Sequence, residues 1–164
     1  MSRASPAPGF PKPGHNHSRC VDTALARAEA AFADRGLRLT RLRALVFVEI
    51  ANSHHSIGAY DIRERIAAKG TRLAPISVYR AIEALMQVGV VHRLESRNAY
   101  FACHCIHGAG REHIVLCCEG CGTVAELPAE GVFAAIAAAA RDNGFTPRVR
   151  VVEVTGRCAH CSRH

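Results

Sequence analysis

The sequence predicts an α+β chain in two parts: a helical N-terminal part that closes on a β-hairpin, and a smaller α/β part rich in cysteine. Three observations predict it. Helical periodicity runs to about residue 90 and then gives way to short alternating stretches. Charge divides at nearly the same place: residues 1–103 hold 15 Lys/Arg against 8 Asp/Glu, whereas residues 104–164 hold 6 of each. Cysteine also shifts, with two of the 8 before residue 104 and the rest after it. A length of 164 residues suits one domain or two small ones, and parts this small bury little surface each, so a metal or a partner chain would help hold them.

Residues 1–18 are rich in Pro, Gly and Ser and read as a flexible tail. Residues 19–35 read as a helix with Val21, Leu25, Ala28 and Phe32 on one stripe, and Gly36 ends it. Thr40 suits the N-cap of a second helix that turns Leu42, Leu45, Val46 and Ile50 inward. "SHHSIG" breaks that helix, and a third runs from Ala59 to Lys69 with Ile62 and Ile66 buried. Pro75 occupies a first helical position, so "PISVYRAIEALMQVG" is a fourth helix. It buries Val78, Ile82 and Leu85 and sets Ser77, Arg80, Ala84 and Gln87 on the other face. "VVHRLES" and "NAYFAC", separated by Arg97-Asn98, form a hairpin.

Helices followed by a short hairpin match a winged helix-turn-helix, and the basic excess of this half suggests a polyanion partner, nucleic acid first. Arg80 projects early from the last helix, where such folds reach base edges. Ordinary solvation charge and an ordinary helix surface are the other readings of the same residues.

Beyond Cys103 the glycines of "CIHGAGRE" suggest a hinge at 104–110. "HIVLCC" and "TVAEL" are short strands around a cysteine turn, Glu130 to Asn143 is an alanine-rich helix, and "RVRVVEVTG" is a last strand leading to "CAHC". Cys118-Glu119-Gly120-Cys121 and Cys158-Ala159-His160-Cys161 are two C-x-x-C knuckles. Each offers one ion two thiolates from one turn, and together they make a closed tetrahedral shell of the kind that holds structural zinc. A pair of redox dithiols and an iron–sulfur cluster are the alternatives for these four residues. Neighbours on a strand point to opposite faces, so Cys117 cannot share the metal of Cys118 and is expected as a small buried apolar residue. His92, Cys103, His104, Cys105, His107, His113 and Glu126 are left as donors for a second site.

No segment approaches the roughly eighteen apolar residues that cross a bilayer; Val132 to Ala140 is the longest apolar run. "MSRASPAPGFPKPGHNHSR" carries no hydrophobic signal core, so the chain is expected in the cytoplasm, where cysteines favour metal over disulfides. The motifs of zinc deaminases, H-E-x-x-H peptidases, G-x-S-x-G hydrolases and phosphate loops are missing, which argues against an enzyme and against a small-molecule substrate.

In order, "GLRLTRLRALV", "HHSIGAYDIRERI", "APISVYRAIEALMQVGVVHRLES", "NAYFAC", "CEGCGTVAEL" and "GRCAHC" resemble the ferric uptake regulator family of bacterial metal-responsive repressors, nearest its zinc-uptake branch. The resemblance spans about residues 20 to 161 and implies a winged-helix DNA-binding domain at 19–103, the hinge, and a zinc-stabilised α/β dimerisation domain at 111–164. It implies a homodimer on A·T-rich palindromic operators, repressing zinc uptake genes when zinc is bound. It assigns Cys118, Cys121, Cys158 and Cys161 to a structural zinc, and His92, Cys103, His113 and Glu126 to a regulatory zinc, two ions per chain, with His107 as the alternative to His113. It assigns DNA contacts to Tyr60, Ser77, Tyr79 and Arg80; Arg41, with Arg38 and Arg43, is expected on phosphates. A thiolate with imidazoles favours zinc. An iron- or peroxide-responsive regulator, or a non-catalytic zinc scaffold, is the alternative.

Overall fold

The computed structural model describes residues 10, 17–103, 113–148 and 151–163. The expected hinge at 104–110, His107 and nearly all of the expected tail lie outside the described residues.

Four helices build the first part: α1 His17–Ala33, α2 Arg41–Ala51, α3 Ala59–Ala68 and α4 Pro75–Gln87. The first begins at His17, inside the segment read as a tail, and ends at Ala33 rather than residue 35. The Thr40 hydroxyl accepts from Arg43 N–H at 3.4 Å and starts α2 as expected. Phe32, Phe47, Ile50, Ile62, Ile66, Ile82 and Leu85 meet in one core. Ala84, expected on the outer face of α4, is half-buried against that core, and Ser77 is half-buried too. Glu49 is a buried acid within α2, and its carboxylate is paired with the ammonium of Lys69 at the end of α3. A buried charge needs such a partner.

Gly89, at φ 79°, turns the chain out of α4 into the wing. Strands β1 Val91–Leu94 and β2 Ala99–Ala102 pair antiparallel, with His92 opposite Phe101 and Leu94 opposite Ala99. The turn is longer than the expected Arg97-Asn98 pair: Glu95–Arg97 forms a short 3-10 turn and Asn98 closes it at φ 47°. Side chains alternate across a strand. Val91, Tyr100 and Ala102 therefore join the helical core, while Leu94 and Phe101 face away from it.

The second part is a three-stranded sheet in the order β4-β3-β5. β3 His113–Cys118 runs antiparallel to β4 Val124–Pro128 and parallel to β5 Glu153–Gly156. β5 is shorter than "RVRVVEVTG" suggested. α5 Glu130–Asp142 buries Phe133 and leaves Val132 and Ile136 exposed. Register puts His113, Val115, Cys117, Val124, Glu126 and Glu153 on one sheet face. That face meets the wing: Leu94 and Phe101 pack with Cys117, Val124 and Val115. Burial pushes the Cys117 thiol up, as befits a core residue. Two further ties bind the parts, since His54 C=O accepts from Val124 N–H at 2.9 Å and His55 bridges Thr123.

Replacing Leu85, fully buried, with Ala is expected to lower unfolding free energy by about 2–5 kcal/mol in urea melts. Ile76→Ala, at an exposed site, is expected to change it by no more than about 0.5 kcal/mol.

Candidate metal centres and nucleic-acid interface

The four knuckle cysteines come together at one end of the sheet, from two turns far apart in the chain. Cys118 ends β3, and the parallel register sets it beside Gly156, just before Cys158. The first knuckle is a tight turn: Cys118 N–H donates to Thr123 C=O and Gly122 N–H to Cys118 C=O, both at 2.9 Å. Glu119 N–H donates to Gly156 C=O at 2.8 Å and ties that turn to β5. The ligand atoms of Cys118, Cys121, Cys158 and Cys161 all lie within 4.8 Å of one another. Cys158 N–H donates to Cys118 Sγ at 3.3 Å, and the Cys121 thiol to Thr123 Oγ1 at 3.2 Å.

These contacts split the thiols electrostatically. Backbone N–H groups of Cys158 and Cys121 hold Cys118 down at about 6, whereas burial and the surrounding sulfurs push Cys161 up to about 12. Several thiolates in one place need a cation, and four sulfurs at this spacing fit a tetrahedral zinc shell. The packing leaves little slack. A Cβ at Gly120 would lie 2.9 Å from both Cβ and Sγ of Cys161.

A second donor set bridges wing and sheet. His92 and Cys103 belong to the wing side, Glu126 to β4, and their donor atoms also lie within 4.8 Å of one another. His92 Nε2 sits 3.4 Å from Glu126 Oε1, with its ring against Phe101 at 5.8 Å between centroids. Cys103 is held by its N–H, which donates to Val90 C=O at 3.0 Å. Glu126 is buried, and a carboxylate taken from water calls for a cationic neighbour. His113 shares the sheet face of Glu126 and has a buried Nε2, yet it stands outside the gathered three. One thiol, one imidazole and one carboxylate suit zinc with an open position.

On the helical part, Tyr60 and Tyr79 are exposed beside each other's helices, and a shallow hollow lined by Tyr60, Arg63, Pro75, Val78 and Tyr79 joins α3 to α4. Arg80 and Arg41 are exposed. The Arg43 guanidinium donates to Arg38 C=O at 2.9 Å and lies over the Phe32 ring. Sequence reasoning passed over Arg63, which stacks over Tyr60 at 5.0 Å and helps line that hollow. The paired aromatic and arginine three residues apart on a helix is a signal that could have found Arg63.

Gly120→Ala is expected to weaken metal retention at the four-cysteine centre, read by competition with a chromophoric chelator. Gly131→Ala, where an added Cβ meets open space, is expected to leave retention unchanged.

The ferric uptake regulator family model matches residues 34–155. The chain is 36% identical over 137 residues to the zinc uptake regulation protein of Escherichia coli K12, covering 84% of this chain and 80% of that one. A solved zinc uptake regulator complexed with zinc and DNA superimposes with a TM-score of 0.80 at 34% identity, over 87% of this chain and 95% of the other. The regulator XcZur is 36% identical and aligns over 99% of its length in two forms, which cover 87% and 88% of this chain; its holo structure gives a TM-score of 0.79 and its apo structure 0.52. With a family model matched across both parts and a relative above a third identical, the chain belongs to the ferric uptake regulator family.

Proposed function

We propose that the chain is a zinc-responsive transcriptional repressor, binding A·T-rich palindromic operators in the cytoplasm as a homodimer and controlling zinc uptake genes. The observation that carries this reading is the approach of His92 and Cys103 from the wing to Glu126 of the sheet, within 4.8 Å. The two forms of XcZur support it, since this chain's arrangement matches the holo form far better at equal identity.

Two zinc ions per chain fit the donor sets. Cys118, Cys121, Cys158 and Cys161 would hold the structural one. His92, Cys103 and Glu126, completed by His113, would hold the regulatory one. When bound there, zinc supplies a positive centre shared by donors of both parts. The wing residues then hold the helical part at one angle to the sheet, so that two copies present their reading helices at a defined separation. Driving such an equilibrium from 1:99 to 99:1 takes about 5.5 kcal/mol of differential affinity, within the range of zinc sites. Exposed Val132, Ile136, Phe145, Val151 and Val154 give the second part an apolar surface for its copy. Arg80, Tyr79, Ser77 and Tyr60 would face the groove, with Arg41 on phosphate.

The test is binding to duplexes selected from a random pool at saturating zinc, measured across buffered free zinc with metal content read on the same sample. Zinc-dependent binding that weakens steeply with salt is expected. Zinc-indifferent binding, or preference for iron in the same assay, would remove the zinc reading. Cys103→Ser is expected to lose the zinc dependence and keep the thermal melt; Cys118→Ser is expected to lose the structural metal and the folded second part.

A further inference from the structure

One tie between wing and sheet lies outside both donor sets. Glu153 opens β5 opposite Val115, and its carboxylate reaches the turn of the wing. Oε1 accepts from Glu95 N–H at 2.6 Å and Oε2 from Ser96 N–H at 3.0 Å. These amides open the 3-10 turn Glu95–Arg97, whose own N-cap residue, Leu94, supplies no side-chain cap. The cap comes instead from a strand nearly sixty residues further along the chain. A carboxylate seated on two successive N–H groups is a charge-assisted, two-point contact. Burial works against its ionisation, yet the bonds from Ser96 and Glu95 outweigh burial and hold the carboxyl below its ordinary value. The Glu95 side chain does not compete for the seat, because it pairs with Arg93 at 3.3 Å.

The strand that carries Glu153 is itself anchored. Gly156 accepts from the first knuckle through Glu119 N–H at 2.8 Å, and the chain then enters the four-cysteine set at Cys158. The seated turn is the far end of β1, which carries His92. An unbroken line of contacts thus runs from the four sulfurs through β5 and Glu153 to the wing.

We propose that Glu153 is a positioning residue for zinc sensing: it docks the wing turn on the strand anchored by the four-cysteine centre and so presets His92 and Cys103 against Glu126. This rests on the zinc-responsive reading above. Without the clasp, bringing the wing donors to Glu126 has to be driven by metal binding alone, so more free zinc is needed for the same operator occupancy.

The experiment uses the full-length, zinc-loaded chain and its Glu153→Ala and Glu153→Asp variants, with the selected duplexes as probe. In Glu153→Ala, amide hydrogen exchange at Glu95 and Ser96 is expected to accelerate, and the free-zinc midpoint of duplex binding to rise about tenfold, the equivalent of one charge-assisted hydrogen bond. Metal content of the four-cysteine centre and the thermal midpoint are expected to hold, and Glu153→Asp to recover part of the shift. In a Cys103→Ser background, Glu153→Ala is expected to lower residual binding as well, because the clasp favours the docked arrangement without metal. An unchanged zinc midpoint, unchanged exchange at Glu95 and Ser96, unchanged residual binding in the Cys103→Ser background, or loss of the four-cysteine metal would each overturn the assignment. If the parent chain bound duplex without regard to zinc, the reading beneath would fail instead, and the exchange data would still report whether the clasp exists.

Discussion

The two-sided hairpin is the constraint on which the rest depends. β1 and β2 are only four residues each, yet one face belongs to the helical core through Val91, Tyr100 and Ala102 and the other to the sheet through Leu94 and Phe101. Strand alternation forces this division, and it also decides where His92 and Cys103 point. A slip of one residue would exchange the faces, putting His92 into the helical core and Val91 into the donor set. The Glu95–Asn98 turn protects the register, with Asn98 in the left-handed region and its Oδ1 accepting from Arg93 at 2.8 Å.

The two donor sets share the sheet but use its geometry differently. The four cysteines exploit a parallel neighbour, because β3 and β5 run the same way and bring two chain-distant turns to one end. The wing-facing set exploits an antiparallel neighbour, because Val115 opposite Glu126 puts that acid on the face that meets the hairpin. Adjacent residues Cys117 and Cys118 show the economy of the pleat: one is packing under Phe101 and the other joins the four-cysteine cluster.

Much of this was legible in the residues. Periodicity placed the four helices and the hairpin, since apolar stripes there are interrupted by Gly89 and started by Thr40 and Pro75. The knuckle spacing identified all four clustered cysteines, and adjacency together with the two-residue spacing to Cys121 separated Cys117 from them. What escaped was set by tertiary contact. Ala84 is small enough to sit on either face, so only packing decides. The hairpin turn is longer than expected, and its amides bond Glu153, a partner that no local pattern reveals. The grouping of His92, Cys103 and Glu126 came from family likeness, because donors on separate elements have no spacing rule to betray them.

The distance between the knuckles also carries a kinetic consequence. Cys158 donates to a sulfur 40 positions earlier. At roughly 5–20 residues per second of synthesis, the first two thiols wait on the order of 2–8 seconds for the second pair. During that interval β3 lacks its parallel neighbour, and Cys118 and Cys121 lack the second pair of thiols. The four-thiol set therefore closes only once α5 and β5 have been synthesised.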